Sequence, residues 1–299
     1  MTRRLAVLLA TLGCLAAHAV AGERVDQRRP ARPDGLVEVD NPAGSIKVTG
    51  WDRAEVAVAG TLGNGADGLE FTSEGGRTRI SVDTTGDPHR VNSMLEIRVP
   101  AGSRLEIETM GAAIEVSDVK GSVHAENVNA SISVTGSSGP VEVESVNGAV
   151  TVSGPTNHVR AESVNGAVEV RGAGGEVEAS TVNGRLVVSG TTFERATLET
   201  VNGSLRFEGG LSPRATVNVE TVGGEVELVL PANTSADFSV YTFNGEVRNE
   251  LGTSTLRKSR DGSEKELIFT VGSGGAKVRV QTLNGGIHLR KREGSGASR

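Results

Sequence analysis

The sequence predicts an all-β protein that winds as a parallel β-helix (β-solenoid), expected to be right-handed, with about 18–21 residues per rung. Two observations carry this prediction: a short motif ending in Asn-Gly recurs at nearly constant spacing, and the residues around it alternate between apolar and polar. The composition is a third observation, because 40 glycines and only 3% aromatic residues favour rungs built from small side chains.

The repeat is clearest between residues 141–154 and 159–172, which are identical at ten of 14 positions. The apolar residue before the Asn-Gly turn marks each copy. It recurs at Met110, Val128, Val146, Val164, Val182, Val201, Val222, Phe243 and Leu283, with spacings of 18, 18, 18, 18, 19, 21, 21 and 40. The double-length last interval is expected to hold one degenerate rung near residues 253–270.

Each repeat consists of two short strands around a turn. Val141 and Val143 alternate with Glu142 and Glu144, so one face of the strand should be buried. Four inward aliphatic residues give about 6–12 kcal/mol of burial, whereas ordering 18 residues costs about 18–36 kcal/mol. Stacking equivalent strands in parallel, about 4.8 Å apart, supplies the missing contacts. Antiparallel hairpins closed at Asn-Gly are the alternative.

Stacked repeats would turn recurring residues into columns. A structural turn ladder is predicted at Asn129, Asn147, Asn165, Asn183, Asn202, Asn244 and Asn284. Asn tolerates left-handed backbone and stacked amides can bond along the axis, while the glycine that follows each Asn is expected to supply a positive φ. A column of Ser and Thr hydroxyls, such as Ser145 and Ser163, should lie beside the ladder.

A second column is acidic and is expected to point outward. It comprises Glu108, Glu126, Glu144, Glu162, Glu199 and Glu220, with Ser180 interrupting it. Neighbouring carboxylates in water repel each other by about 0.9 kcal/mol, so the column is a candidate surface for a cation or a basic partner. The alternative is a solvated face, relieved by residues such as Arg160. No metal site and no cofactor are predicted.

The N-terminus predicts export. Residues 1–21 have the features of a cleaved signal peptide: Arg3 and Arg4, an apolar run over residues 5–12, and a small-x-small site at 19–21. Cys14, the only cysteine, lies in this segment and would be lipidated instead if the leader were that of a lipoprotein. No later run is long and apolar enough to span a membrane.

The remaining chain divides by regularity. We expect a linker over 22–35, a β-solenoid domain over 36–290 with an irregular N-terminal part at 51–100, and a disordered tail over 291–299. Removing residues 1–21, which hold two arginines and no acid, changes the net charge from −6 to −8. That balance disfavours a nucleic-acid partner.

No catalytic residues are predicted. His89, His124, His158 and His288 lie far apart without the spacing of metal ligands, and the acids are spread along the repeat. A polysaccharide-active β-helix enzyme, with clustered acids in a side groove, remains an alternative to a non-enzymatic protein.

The sequence resembles a bacterial family of β-strand-repeat proteins of unknown function, often labelled adhesins. Residues 41–52, 99–102 and 277–289 and the serial Val-Asn-Gly turns carry the resemblance. It implies an exported parallel β-solenoid and defines no catalytic residues.

We therefore expect a non-enzymatic scaffold, adhesion or binding surface of the bacterial cell envelope. The periplasm is the expected location, with the outer surface or secretion as alternatives, and the partner would be an envelope protein or polysaccharide. A cation-dependent surface protein that uses the glutamate column is a further alternative.

Overall fold

The computed structural model describes residues 22–87, 91–254, 257–258 and 264–292. All regular elements in these ranges are β-strands, which confirms the all-β prediction. The strands are β1 (Glu23–Pro30), β2 (Leu36–Asp40), β3 (Ala43–Trp51), β4 (Glu55–Leu62), β5 (Gly68–Glu74), β6 (Arg77–Asp83), β7 (Ser93–Pro100), β8 (Arg104–Thr109), β9 (Gly111–Ser117), β10 (Val123–Asn127), β11 (Ile132–Thr135), β12 (Val141–Ser145), β13 (Val150–Ser153), β14 (His158–Ser163), β15 (Val168–Thr181), β16 (Leu186–Thr200), β17 (Leu205–Gly223), β18 (Val226–Leu230), β19 (Ala236–Thr242), β20 (Val247–Asn249), β21 (Arg257–Lys258), β22 (Lys265–Val271), β23 (Ala276–Asn284) and β24 (Ile287–Lys291).

Two predictions about the chain ends fall outside these ranges. The expected signal peptide over 1–21, with Cys14, is outside them, and so are residues 293–299 of the expected tail. The described segments contain no apolar helix of membrane-spanning length.

The strands form two faces of parallel strands, which we call face A and face B. Each rung gives one strand to face A and, after a corner at the Asn-Gly position, one strand to face B. In spatial order, face A holds β6, β2, β8, β10, β12, β14, the second halves of β15, β16 and β17, β23 and β19. Face B holds β7, β3, β9, β11, β13, the first halves of β15, β16 and β17, β18, β24 and β20.

Like residues lie on like residues along the axis. Val123 pairs with Val141 and Val141 with Val159, each 18 residues further along the chain. The amide of Asn165 donates to Val146 O at 2.8 Å, so consecutive corners are also in contact. Because these pairs are parallel, the strands that flank Asn-Gly do not form hairpins with each other, and the β-solenoid-like fold is confirmed.

The core follows from the alternation within each strand. Val141 and Val143 on face A and Val150 and Val152 on face B are fully buried. Glu142, which lies between Val141 and Val143, is exposed. Where the interval between copies lengthens from 18 to 19 and 21 residues, a larger side chain enters the core: Phe193 lies 5.0 Å from Phe207, measured between ring centroids.

The corner glycines are required for a reason other than the expected one. Gly148, Gly166 and Gly184 do not adopt positive φ, and neither do the asparagines before them, so the prediction of a left-handed corner is wrong. A Cβ on Gly166 would instead overlap the backbone oxygen of Gly148 in the preceding rung. Close stacking of one corner on the next therefore excludes a side chain here.

The N-terminal end does not follow chain order. Strands β2 and β3 of the first rung lie between β6 and β7 on one side and β8 and β9 on the other. Antiparallel strands close this end, because β5 pairs with β6, β4 with β7 and β1 with β4. The described residues of the segment 51–100 thus form the terminal rung and its cover.

Part of the expected linker over 22–35 is a strand instead. Strand β1 pairs with β4 over eight residues, and Val25 is buried in the core. The remaining positions of β1 are polar or Pro and mostly exposed. With a single apolar residue, this segment has no alternation that sequence reasoning could detect.

The C-terminal end is arranged in the same way. The last rung, β23 and β24, inserts between β17/β18 and β19/β20. The degenerate rung expected near 253–270 is not a rung, because β22 pairs antiparallel with β19 and β21 pairs antiparallel with β22. The ring of Phe269 stacks on Phe238 with centroids 4.7 Å apart, so β22 covers the end of the core.

Candidate binding groove along the solenoid axis

An exposed apolar row follows the corner between the two faces, and we call it the apolar stripe. Its members leave between 38% and 47% of their surface accessible, although all are large hydrophobic residues. They are Met110, Val128, Val146, Val164, Val182, Val201, Val222 and Leu283. Phe243, the marker residue of the remaining rung, is half-buried. An apolar row of this length is unusual on the surface of a monomeric soluble protein and is typical of contact surfaces.

Strand parity explains the stripe. In the repeat at 141–146, Val141, Val143 and Ser145 point inward, and successive side chains alternate, so Val146 must point outward. Sequence reasoning used these residues only as markers of the repeat and missed their exposure. The parity of the strand was the signal that could have revealed it.

The glutamate column runs beside the stripe, and the two rows enclose a groove. One stretch of about 690 Å³ extends from Asp40 to Val182. A second stretch of about 480 Å³ extends from Ser180 to Leu283, so the two share Ser180 and Val182. The buried Ser and Thr side chains lie between the two rows as the floor.

All six predicted glutamates lie in one row. Parallel register joins Glu108, Glu126, Glu144 and Glu162, and Ser180 separates them from Glu199 and Glu220. Asp40 extends the row by one more rung because it pairs with Glu108, and sequence reasoning missed it. Its position in the segment 37–41 matches that of Glu144 in the segment 141–145.

The charges in this column are balanced unevenly. Arg160 lies 2.6 Å from Glu162 and 3.9 Å from Glu144 (nitrogen to carboxylate oxygen), and it also contacts carboxylates outside the column. His124 lies 3.0 Å from Glu126. Among the described residues, Glu108, Glu199 and Glu220 form no ion pair.

Burial affects two carboxyls of the column. It raises the pKa of Glu162 above its ordinary value, against the opposing attraction of Arg160. It also raises the pKa of Asp40, and the neighbouring charge of Glu108 adds to that shift. A wall of closely spaced carboxylates therefore favours cationic or hydrogen-bond-donating partners.

The asparagines form hydrogen-bonded chains on the far side of the stripe. Asn165 donates from Nδ2 to Asn147 Oδ1 at 2.8 Å, and Asn183 donates to Asn165 in the same way at 2.8 Å. The series runs from Asn129 through Asn202. A separate pair joins Asn244 to Asn284 at 3.1 Å, because Gly223 occupies the rung between Asn202 and Asn284.

The hydroxyl row serves the corner. Ser163 Oγ donates to Gly148 O at 3.0 Å and accepts from the Gly166 amide at 2.9 Å, and Ser163 is buried. Comparable bonds recur at Ser145 and Thr181. The hydroxyls of Ser145, Ser163 and Thr181 are thus engaged by backbone groups of adjacent corners, whereas those of Thr200 and Thr282 are buried without a hydrogen-bond partner in the part of the chain that the structure describes. The groove presents mainly an apolar wall and an acidic wall.

Of the described histidines, only His124 contacts a carboxylate that lines the groove, that of Glu126. Within the described residues no group of three or more His, Cys, Asp or Glu side chains is placed to hold a metal ion. His158 and His288 lie beside Glu176 and Glu250, away from the groove lining. Trp51 also lies elsewhere, with the Arg53 guanidinium 5.0 Å from its ring centroid.

The chain is similar to two solved structures and to one family profile. A solved structure described as a putative adhesin from Bacteroides fragilis is similar at 11% identity and a TM-score of 0.45, covering 89% of this chain and 97% of that chain. Another, described as a putative cell adhesion protein from Clostridium sporogenes, is 10% identical with a TM-score of 0.19, covering 90% of this chain and 100% of that chain. No curated protein matches the chain. The profile of the Toastrack DUF4097 family matches residues 46–290, which confirms the expected resemblance, and the chain belongs to that family.

Proposed function

We propose that the chain is a non-enzymatic scaffold or binding protein of the bacterial cell envelope, and that the axial groove is its contact surface. The leader-like residues 1–21 support export, with the periplasm as the proposed location. We further propose a right-handed coil of 18–21 residues per rung over residues 36–290. The partner would be an envelope protein or polysaccharide.

The apolar stripe is the observation that carries this proposal. Eight large apolar side chains are each about two-fifths exposed in a single row. Covering the exposed part of each would contribute about 1 kcal/mol, or roughly 8 kcal/mol in all before the costs of association. Exposure on this scale is an aggregation risk unless a partner covers it.

The repeated geometry suits a binding surface better than a catalytic one. Most rungs present the same shallow combination of one carboxylate and one apolar side chain, with Ser180 and Gln281 among the exceptions. Catalysis instead needs different groups converging on one bond. Many weak and equivalent contacts add up when the partner is also extended. A long groove of this kind therefore supports adhesion or scaffolding.

The decisive experiment compares three immobilised chains in envelope extract. These are the native chain, a variant with Val146→Asp and Val164→Asp, and a control with Val187→Asp, which changes an outward valine on face B. We expect the native chain and the control to retain the same envelope component and the stripe variant to lose it. Equal retention by all three would refute the groove as the contact surface.

A second measurement addresses catalysis. Incubation of the native chain with envelope polysaccharides is expected to release no new reducing or unsaturated ends. Their release at a rate above that of a heat-denatured sample would contradict the non-enzymatic assignment.

A further inference from the structure

We infer that the partner in the axial groove is a second copy of this chain, lying side by side and parallel with the first. This inference rests on the proposed function of the groove as a contact surface. In the arrangement, the apolar stripe of each copy lies in the groove of the other.

The spacing along the axis favours a second copy. Parallel strands place equivalent residues about 4.8 Å apart, and the stripe holds that period from Met110 to Leu283. An extended peptide repeats its side chains about every 6.6 Å on one side, and an α-helix has a pitch of about 5.4 Å. Both drift out of register within a few rungs, whereas a copy of the same solenoid matches the stripe at every level.

The rows beside the stripe determine how the copies are oriented. The glutamate column lies on one side of the stripe and the asparagine ladder on the other. A two-fold axis parallel to the solenoid axis brings the glutamates of one copy opposite the asparagines of its partner, at the same level. Asn147, Asn165, Asn183, Asn202 and Asn244 each use one N–H along their own ladder, whereas Asn129 and Asn284 only accept. Asn165 is exposed, so its other N–H can donate to a facing carboxylate.

The antiparallel alternative is disfavoured by charge. Turning one copy end over end places glutamate column against glutamate column, including Glu108, Glu199 and Glu220, which have no ion-pair partner among the described residues. The two stripes would then also meet ridge against ridge. Like-charge contact at several levels disfavours this arrangement.

The length of the stripe sets the expected affinity. Eight rungs span about 34 Å, and a contact of that length buries on the order of 1,000–1,300 Å² in total, at the low end of specific interfaces. We therefore expect a reversible dimer with a dissociation constant of order micromolar.

The first test measures the mass of the purified native chain in solution by sedimentation between about 1 and 200 µM, a range that brackets this constant. We expect a concentration-dependent dimer for the native chain and for Val187→Asp. The variant with Val146→Asp and Val164→Asp should dimerise at least tenfold more weakly, with its melting temperature retained because both sites are exposed.

The second test reads orientation and does not depend on the aspartate variants. In a Cys14→Ser background, Val128→Cys should form a disulfide-linked dimer with itself under mild oxidation. Parallel copies place position 128 opposite position 128, whereas antiparallel copies place it towards the other end of the stripe. Ser133→Cys on face B is the matched control and should remain monomeric.

The outcomes separate this inference from the proposed function. A native chain that stays monomeric at 200 µM overturns the second copy as partner, and the groove still stands as a contact surface if the stripe variant loses its envelope component. A dimer unaffected by the stripe variant overturns the inference too. So does a Val128→Cys chain that cross-links only when Val222→Cys, its counterpart in an antiparallel pair, is also present. If the native chain is monomeric and the stripe variant retains the envelope component as well as the native chain does, both the inference and the proposed contact surface are overturned.

Discussion

Gly223→Asn is predicted to stabilise the protein by joining the two asparagine chains. Gly223 occupies the Asn position of its rung: its amide donates to Val201 O at 2.7 Å, and it pairs in register with Asn284. It does not adopt positive φ, and an added Cβ would make only an ordinary contact of 3.7 Å with Val201 O. An asparagine therefore fits and can bond to Asn202 on one side and to Asn284 on the other.

The expected gain has two parts. Replacing glycine reduces the entropy of the unfolded chain and contributes about 0.4–1 kcal/mol. Two exposed amide hydrogen bonds at about 0.5 kcal/mol each raise the total to roughly 1.5–2 kcal/mol. For a chain of this size that corresponds to an increase in melting temperature of about 3–8 °C.

Thermal unfolding followed by circular dichroism measures this gain. Gly223→Ala is the matched control, because it has the entropic part alone and should rise by only about 1–4 °C. If Gly223→Asn melts no higher than Gly223→Ala, the amide chain contributes nothing and the ladder argument is refuted.

Three further predictions concern the corners and the column. Asn165→Ala removes two ladder bonds and should destabilise the protein by about 1–2 kcal/mol. Asn129→Ala, at the end of the asparagine ladder, removes one bond and should cost about half as much. Equal losses of unfolding free energy in urea would contradict the ladder. Gly166→Ala should cost more than about 3 kcal/mol in the same urea unfolding, because its Cβ would overlap Gly148 O. Burial raises the pKa of Glu162, so the folded state binds the extra proton and stability falls as the pH rises through that pKa. As the pH rises above the ordinary pKa of a glutamate, Glu162→Gln should therefore lose less stability than the native chain. Parallel pH profiles of the unfolding free energy would refute this.

The repeat in the sequence predicts most of the central fold. Ten identities between residues 141–154 and 159–172 place like on like, and the structure pairs Val141 with Val159 as that pattern requires. Alternation also predicts which valines are buried. The exposure of Val146 follows from the same alternation when it is extended by one residue beyond Ser145. The inference is easily missed because valine is usually a core residue.

The ends were less predictable, for a physical reason. A repeat pattern states that rungs stack on similar rungs, but not in which order they stack. Every rung offers the same backbone edge, so the last rung can insert ahead of β19 as readily as follow it. The 40-residue interval between Phe243 and Leu283 indicated that something intervened, and only the pairing shows that β22 returns antiparallel. The role of the corner glycines was also predicted wrongly. A single repeat does not show that a side chain at the corner would overlap the backbone of the preceding rung.

The inserted end rungs bear on where the protein can make contacts. A solenoid with open ends would add further copies end to end through unpaired strands. Here the first rung, β2 and β3, and the last, β23 and β24, are paired on both sides within the stack. The outermost strands are antiparallel or short: β1 carries mostly exposed charged side chains and β20 has only three residues. Strand addition at the ends is thereby disfavoured, and the long side of the rod is left as the surface where apolar area is exposed. The closed ends and the open apolar stripe together favour lateral association over growth along the axis, which is the geometry that the parallel pair of copies requires.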